Sequence, residues 1–155
     1  MQFKKNDNAI MGRLLAIDYG EQRVGLAVSD NSQVIATKLT TVSTLEIFPF
    51  LEGYLKKEDV DLIVVGNPKQ MDNTPSEVSG KVKVFIDNLS KIFPDKDIYM
   101  IDERYTSKMA SQTIAKSGLR KKKRQEKGLI DSVAAVLILQ DFMKMYQNGI
   151  NIQHV

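Results

Sequence analysis

The chain contains no cysteine and a single histidine among its 155 residues. Without cysteine it cannot form disulfides, thiolate metal sites or a cysteine nucleophile, which fits a protein of the reducing cytoplasm. The histidine, His154, is the penultimate residue, where chain ends usually fray, so we expect neither a Ser-His-Asp triad nor a histidine-ligated zinc site. Any hydrolytic chemistry is therefore expected to use carboxylates, lysine or a bound metal ion.

The chain also lacks a long apolar segment. No run approaches the roughly 20 residues that span a membrane, and the N-terminal segment MQFKKNDNAIMG has no apolar core of the kind found in signal peptides. With 43% hydrophobic and 26% charged residues, the composition is that of a soluble globular protein. We expect a cytoplasmic protein with a polar tail over residues 1–11, one domain over 12–148 and a C-terminal tail over 149–155.

Basic residues are concentrated in one short stretch. Of the 22 Lys and Arg residues, seven lie within 116–127, which contains a single acidic residue. Such a patch is typical of phosphate binding, and few aromatic residues accompany it, so we expect contact with a nucleic-acid backbone rather than with bases. The alternative is a solvated loop that only keeps the protein soluble. The residues expected to bind nucleic acid are Arg120, Lys121, Lys122, Lys123 and Arg124.

Apolar patterning predicts one α/β domain. The predicted strands are 13–19, 24–30, 34–40, 61–66 and 97–102. The predicted helices are about 44–57, 75–93, 106–116 and 128–147. Short polar turns make the first three strands an antiparallel meander, and the later strands alternate with helices, which favours parallel pairing. The expected fold is a five-stranded mixed sheet with helices on both faces, in the order βββαβαβαα.

Helical spacing also predicts which sides of two helices are buried. In the first helix the predicted buried side contains Leu45, Phe48, Leu51 and Leu55. In the last helix it contains Leu129, Val133, Val136, Leu137 and Leu139 or Gln140. Ala134 and Ala135 should permit close packing of the last helix.

Three acidic residues occur at the ends of predicted core elements. Asp18 ends the first strand in LLAIDYG, Glu103 follows the fifth strand in IYMIDER, and Asp131 lies in the first turn of the last helix in GLIDSVAA. Each has an ordinary structural explanation, because Asp is common in turns and acidic residues stabilise the starts of helices. Their spacing in the sequence does not establish that they meet, although a sheet edge and a helix start can bring them together.

Carboxylates that converge without histidine or cysteine suit a hard cation such as Mg²⁺ or Mn²⁺. Two such ions about 4 Å apart could share the carboxylates with a scissile phosphate, one activating water and the other stabilising the leaving oxygen. Three close carboxylates also repel one another when no cation is bound. The residues therefore predict a metal-dependent nuclease in which Asp18, Glu103 and Asp131 are both catalytic residues and metal ligands.

Four ordered motifs resemble the YqgF/RuvX family over about residues 13 to 146. They are DYGEQRVGLAVSD, GNPKQMDNTPSE, DERYTSKMA and, from Lys127, K-x-x-x-D-S-x-A-A-x-x-I-L-Q. The resemblance implies a ribonuclease H-like fold and places the acidic trio of the family on Asp18, Glu103 and Asp131. It also implies that Arg23, Arg104 and Lys127 contact phosphate or support the metal site; for Arg23 a structural salt bridge is the alternative.

Members of that family are described as Holliday junction resolvases and as nucleases that process pre-16S ribosomal RNA. The resemblance therefore implies, as the first expectation, trimming of the 5′ side of the small-subunit ribosomal RNA precursor, with the pre-ribosomal particle as a partner. Cleavage of four-way DNA junctions is the close alternative, and it usually requires a symmetric dimer, for which the sequence has no clear interface. A catalytically silent nucleic-acid-binding module and a nucleotide-binding phosphotransferase are less favoured, the latter because phosphate-loop glycines are absent.

Overall fold

The computed structural model describes residues 12–67, 77–102, 127–149 and 153–155, with the backbone alone at 77–79, 127–132 and 153. The strands are β1 Arg13–Tyr19, β2 Arg23–Ser29, β3 Ala36–Ser43, β4 Val60–Asn67, β5 Asp97–Asp102 and β6 Gln153–His154. The helices are α1 Ile47–Lys57, α2 Glu77–Ile92 and α3 Lys127–Gln147, and a 3₁₀ turn at Thr44–Glu46 precedes α1. The helix predicted at 106–116 lies outside the described residues. Among the helices that the structure describes, none is long and apolar enough to cross a membrane.

Strand β1 lies inside the sheet, hydrogen-bonded on both sides. The strand order is β3-β2-β1-β4-β5-β6. Strands β1, β2 and β3 pair antiparallel, as the predicted meander requires. Strand β4 pairs parallel with both β1 and β5. All five predicted strands are present, and the predicted α/β class with a mixed sheet is confirmed.

The sheet separates two hydrophobic cores, because alternate side chains of a strand point to opposite faces. On one face Leu15 and Ile17 of β1 pack in a core that includes residues of α1 and α2. On the other face Leu14 and Ala16 pack in a core that includes residues of α3. Helices therefore cover both faces, as predicted, and each helix can be assigned to one side of the sheet.

The start of α1 lies close to its predicted position. The Ser43 hydroxyl oxygen accepts a hydrogen bond of 3.4 Å from the backbone N–H of Leu45. Leu51 is fully buried, and Phe48 and Leu55 pack against the same core. The prediction for Leu45 is wrong, since 92% of its surface is exposed. Leu45 lies in the 3₁₀ turn, where the 3.6-residue spacing that predicted its orientation does not apply.

The buried face of α3 differs in part from the predicted one. Leu139, Ala134 and Ala135 are buried as predicted, and the side chain of Leu129 lies outside the described ones. Val133, Val136 and Leu137 are only partly buried, and Gln140 is exposed. The residues that are buried are Ala134, Ala135, Ile138, Leu139, Phe142 and Met143. Apolar residues occur on several sides of this helix, so periodicity alone does not select one face. The face that is buried contains the two adjacent alanines, whose small side chains let the helix approach the sheet.

A sixth strand, β6, extends the sheet in a way that the sequence did not predict. Gln153 and His154 pair antiparallel with Met100 and Tyr99 of β5. The His154 ring lies edge-on to the Tyr99 ring, with centroids 4.8 Å apart, and its Nε2 is 3.4 Å from Oδ1 of Asp97. Two-residue strands are too short to produce a detectable alternation in sequence.

A buried hydroxyl group holds the start of β1 against the end of β2. Ser29 is fully buried, its Oγ accepts a hydrogen bond of 2.8 Å from the backbone N–H of Leu14, and it donates one of 2.9 Å to the carbonyl of Asp30. Between Arg13 and Leu14, β1 shifts its register against β4. The hydroxyl thus supplies an acceptor where regular strand pairing is interrupted.

We predict that Ser29→Ala lowers the free energy of unfolding by about 1–3 kcal/mol, because the buried N–H of Leu14 loses its acceptor. Urea denaturation monitored by circular dichroism measures this change. Ser32→Ala, in the exposed turn after β2, is the control and should change the stability by less than about 0.5 kcal/mol. Equal midpoints for the two variants would show that the Ser29 hydroxyl does not contribute.

Candidate active site

The structure describes one of the three predicted acidic side chains, that of Asp18. This residue lies near the end of β1, opposite Gly25 of β2, and is partly buried. For Asp131 the backbone is described. It is the fifth residue of α3, just past the first turn in which it was predicted, because the helix begins at Lys127. Glu103 lies outside the described residues and follows Asp102, the last residue of β5, in the sequence.

The carboxyl ends of β1, β4 and β5 meet at one edge of the sheet, because these strands are parallel. The register places Ile17, Val65 and Met100 side by side across the three strands. Asp18 follows Ile17 in β1, so its side chain lies at the edge where open α/β sheets bind their ligands.

Asp18 lies on the face of the sheet that α3 covers. Leu14 and Ala16 pack in the core formed with α3, and Asp18 continues the same alternation along β1. Helix α3 runs antiparallel to β1, because Leu14, at the start of β1, lines one small cavity together with Met143 and Tyr146 near the end of α3. The start of α3 is therefore directed toward the carboxyl end of β1.

The lengths of the two elements agree with this arrangement. From Met143 back to Asp131 the helix rises about 18 Å at 1.5 Å per residue. From Leu14 to Asp18 the strand extends about 13 Å at 3.3 Å per residue. This arrangement predicts that the backbone of Asp131 lies toward the same end of the sheet as Asp18 and on the same face.

The strands on both sides of Asp18 carry glycine at its level. Gly25 of β2 is its direct partner, and Gly66 of β4 follows Val65, the partner of Ile17. Neither glycine has a side chain that could cover the carboxylate from the side. A carboxylate oxygen is a ligand that a hard cation prefers. Within the described part of the chain no group of three or more His, Cys, Asp or Glu could hold a metal ion, and two of the three predicted ligands have no described side chain.

A short, well-bonded turn joins Asp18 to Arg23. The hydroxyl of Thr44 donates a hydrogen bond of 2.7 Å to the carbonyl of Gly20, and the N–H of Thr44 donates one of 3.0 Å to the carbonyl of Gln22. A Cβ atom on Gly20 would clash with the backbone carbonyl oxygen of Arg23. The Asp-Tyr-Gly sequence therefore requires its glycine because the chain turns back on itself at that point.

The predicted phosphate-binding residues are only partly within the described residues. Arg23 begins β2 and is two residues from Gly25, so it lies on the same face as Asp18 and is its diagonal neighbour, at about 7 Å between Cβ atoms. Lys127 is the first residue of α3. Arg104 and the basic run 120–124 lie outside the described residues.

One polar residue at this edge was not singled out from the sequence. Asn67, the last residue of β4, is buried, at 5% relative exposure, and pairs with Asp102 of β5. It stands directly after Gly66 at the end of an apolar strand. A polar residue at the carboxyl end of a buried parallel strand is a signal that could have identified it.

The fold is similar to that of a solved structure, T. thermophilus RuvC in complex with a Holliday junction substrate. The TM-score is 0.55 at 14% sequence identity, and the match covers 93% of this chain and 99% of that chain. This likeness shows that the protein has a ribonuclease H-like α/β fold.

Residues 12–145 match the model of the family described as "RuvX: Holliday junction resolvase", and the chain belongs to that family. A relative from Flavobacterium johnsoniae is 49% identical over 133 residues, which cover 86% of this chain and 96% of the relative. A relative from Bacteroides fragilis is 46% identical over 134 residues, which cover 86% of this chain and 97% of the relative. Both relatives are described as "Putative pre-16S rRNA nuclease". The resemblance found in the sequence motifs is thereby confirmed.

We predict that Gly20→Ala destabilises the protein by about 1–3 kcal/mol, because the added methyl group must displace the backbone of Arg23. Thermal unfolding measures the change. Gly53→Ala in α1 is a matched control, since no described atom outside its own helix lies within 4 Å of the position that the added methyl group would occupy. This control should gain up to about 1 kcal/mol from the helix propensity of alanine. An unchanged melting temperature in Gly20→Ala would contradict the requirement for glycine at this turn.

Proposed function

We propose that this protein is an endonuclease that depends on Mg²⁺ or Mn²⁺ and hydrolyses phosphodiester bonds in structured nucleic acid. One observation carries the proposal. Asp18 lies at the carboxyl edge of the sheet, on the face covered by α3. The end of α3 lies at the start of β1, so the start of this helix, with Asp131, would lie toward the edge that carries Asp18. In the sequence, Glu103 directly follows Asp102, the residue at which β5 ends at this edge.

The residues that would hold the metal ions are Asp18, Glu103 and Asp131, with oxygens of water and substrate completing the coordination. The bound cation would supply an activated water molecule and stabilise charge on the leaving oxygen. Arg23, which lies on the same face as Asp18, would contact a phosphate oxygen, since a guanidinium group can form two parallel hydrogen bonds with phosphate. The glycines beside Asp18 leave room for the phosphate to approach.

The substrate that we favour is the 5′ region of the pre-16S ribosomal RNA, in the cytoplasm and in the context of the pre-ribosomal particle. The descriptions of the relatives from F. johnsoniae and B. fragilis support this choice. The basic run 120–124 directly precedes the helix that carries Asp131 in the sequence, so it would contact the RNA backbone beside the site. Residues 12–148 would form the nuclease domain, with a tail at 1–11, and the segment 149–155 adds β6 to the sheet of that domain.

A second candidate function is cleavage of four-way DNA junctions. The description of the family and the junction-bound RuvC structure favour it. Paired cleavage of a junction requires two active sites related by symmetry, so this function also requires a dimer. A module that binds nucleic acid without cleaving it is the third candidate, which retention of all three carboxylates disfavours.

We predict that Asp18→Asn lowers the rate of cleavage of a 5′-extended small-subunit rRNA precursor by at least about 100-fold, because charge stabilisation by a bound metal is worth several kcal/mol. The assay compares this precursor with a four-way DNA junction at fixed salt, with Mg²⁺ or Mn²⁺. Asp87→Asn, an exposed carboxylate of α2 on the opposite side of the sheet, is the matched control and should cleave like the wild type.

Each result of this assay selects one function. Cleavage of the RNA that is lost in Asp18→Asn supports the proposal, and cleavage of the junction alone supports the resolvase. Binding of either substrate without cleavage, with the pre-ribosomal particle added, would refute the nuclease and favour the silent module.

We also predict a metal effect on stability that does not depend on cleavage. Mg²⁺ should raise the melting temperature of the wild type, because a cation that binds only the folded state stabilises it and relieves repulsion between carboxylates. Asp18→Asn should melt higher than the wild type without metal and should respond less to Mg²⁺. Differential scanning fluorimetry measures both effects, and equal Mg²⁺ responses in the two proteins would argue against Asp18 as a ligand.

A further inference from the structure

A cavity of about 310 Å³ opens beside α1 and α2, on the side of the sheet opposite to Asp18. Its walls include the aromatic rings of Tyr19, Phe48 and Phe85, and its polar lining comes from Thr44, Lys81 and Asn88. Small-molecule sites begin at about 300 Å³ and combine apolar walls with a few polar groups. The cavity therefore has the size and lining of a site for one small planar group.

The cavity is open partly because α2 carries a glycine at position 80. Glycine is the least favourable helix residue after proline, and no described atom outside the helix lies within 4 Å of the position that a Cβ atom of Gly80 would occupy. One turn further along the helix, Val84 also lines the cavity and is 61% exposed. Packing among the described residues thus leaves the surface of α2 at Gly80 open to a ligand.

The aromatic wall consists of rings that pack on one another, with Phe85 buried in the core beneath, and Asn88 supplies an amide group to the lining. The Tyr19 and Phe85 rings stack with centroids 4.6 Å apart, and the Phe48 ring centroid lies 5.5 Å from that of Phe85. The amide group of Asn88 can both donate and accept hydrogen bonds, as the edge of a base requires.

A cation lies at the same cavity. Nζ of Lys81 is 3.1 Å from Oε1 of Glu21, and both side chains are about half exposed, at 57% and 50%. Exposed ion pairs of this kind are weak, so the lysine can exchange its carboxylate partner for a phosphate. The combination of stacked rings, an amide and an exchangeable ammonium group matches a nucleotide better than a peptide.

The position of the cavity connects it with the candidate active site. Tyr19 directly follows Asp18 in β1, and consecutive Cα atoms are about 3.8 Å apart. Their side chains lie on opposite faces at the same carboxyl end of the strand. A single strand of nucleic acid that passes over this edge of the sheet can therefore place a phosphate near Asp18 and a neighbouring base near Tyr19.

We infer that this cavity binds one unstacked nucleobase of the single-stranded segment that flanks the cleaved phosphodiester. The inference rests on the proposed nuclease function for the choice of ligand, but base binding itself requires neither metal nor cleavage. Unpaired RNA bases are commonly recognised by stacking on aromatic side chains together with hydrogen bonds to their edges. The site would thus select a substrate with an unpaired base at a fixed distance from the cleavage position.

Nuclear magnetic resonance with nucleoside 5′-monophosphates tests this inference, with ribose 5-phosphate as the probe that lacks a base. We expect the monophosphates, but not ribose 5-phosphate, to shift the amide signals of Gly80, Val84 and Asn88. Gly80→Leu should abolish these shifts by filling the cavity, and it should remain folded because leucine favours helix more than glycine does. Gly53→Leu, at an exposed helical glycine of α1 that does not line the cavity, should retain them.

Binding of a single-stranded oligoribonucleotide, measured by fluorescence anisotropy without metal, should be about ten-fold weaker in Gly80→Leu than in Gly53→Leu, as expected for the loss of one stacked base. Equal affinities of the two variants for the oligoribonucleotide would overturn the inference. So would shifts with ribose 5-phosphate that equal those with the nucleoside monophosphates, and the cavity would then be a site for a phosphate or a protein segment. The two proposals can fail separately. If the amide shifts depend on the base but the protein cleaves neither substrate, the nuclease function is refuted and the base site is supported.

Discussion

The whole arrangement depends on one constraint, the alternation of side chains along the internal strand β1. Both faces of this strand are covered, so each of its apolar residues belongs to one core or the other. Leu15 and Ile17 fix one face, and the same pleat directs Asp18 to the face of α3 and Tyr19 to the face of α1 and α2. A shift of register by one residue would exchange the two faces and bury the carboxylate among apolar side chains.

The sequence was sufficient for those features that local patterns determine. Apolar runs bounded by glycine, proline and polar turns located the buried strands β1, β2, β4 and β5, since a buried strand needs a continuous apolar surface. Strand β3, which has no buried residue, spans Ala36–Ser43 and so begins two residues later than predicted. The position of Asp18 at the end of a strand was predictable for the same reason. The family motifs, which record the fold as a whole, supplied the ribonuclease H-like topology and the expected relation between Asp18, Glu103 and Asp131.

Features that depend on contacts between distant segments could not be predicted. The buried side of α3 depends on how closely Ala134 and Ala135 approach the sheet, and the 3₁₀ turn that exposes Leu45 breaks the helical spacing. The glycines on both sides of Asp18 became meaningful only when the register of three strands was known. The cavity at Tyr19 likewise depends on two helices that are separated in the sequence by β4.

The division of the interior by the sheet has a consequence for how this protein can vary. Side chains of the two cores are separated by the strand backbones, so a change of volume in one core is absorbed mainly on its own side. Selection could therefore remodel the surface formed by α1 and α2 while the carboxylate face stays constant. With the proposed base site on one face and the proposed metal site on the other, a lineage could thus change which nucleic acids it binds without altering the metal site.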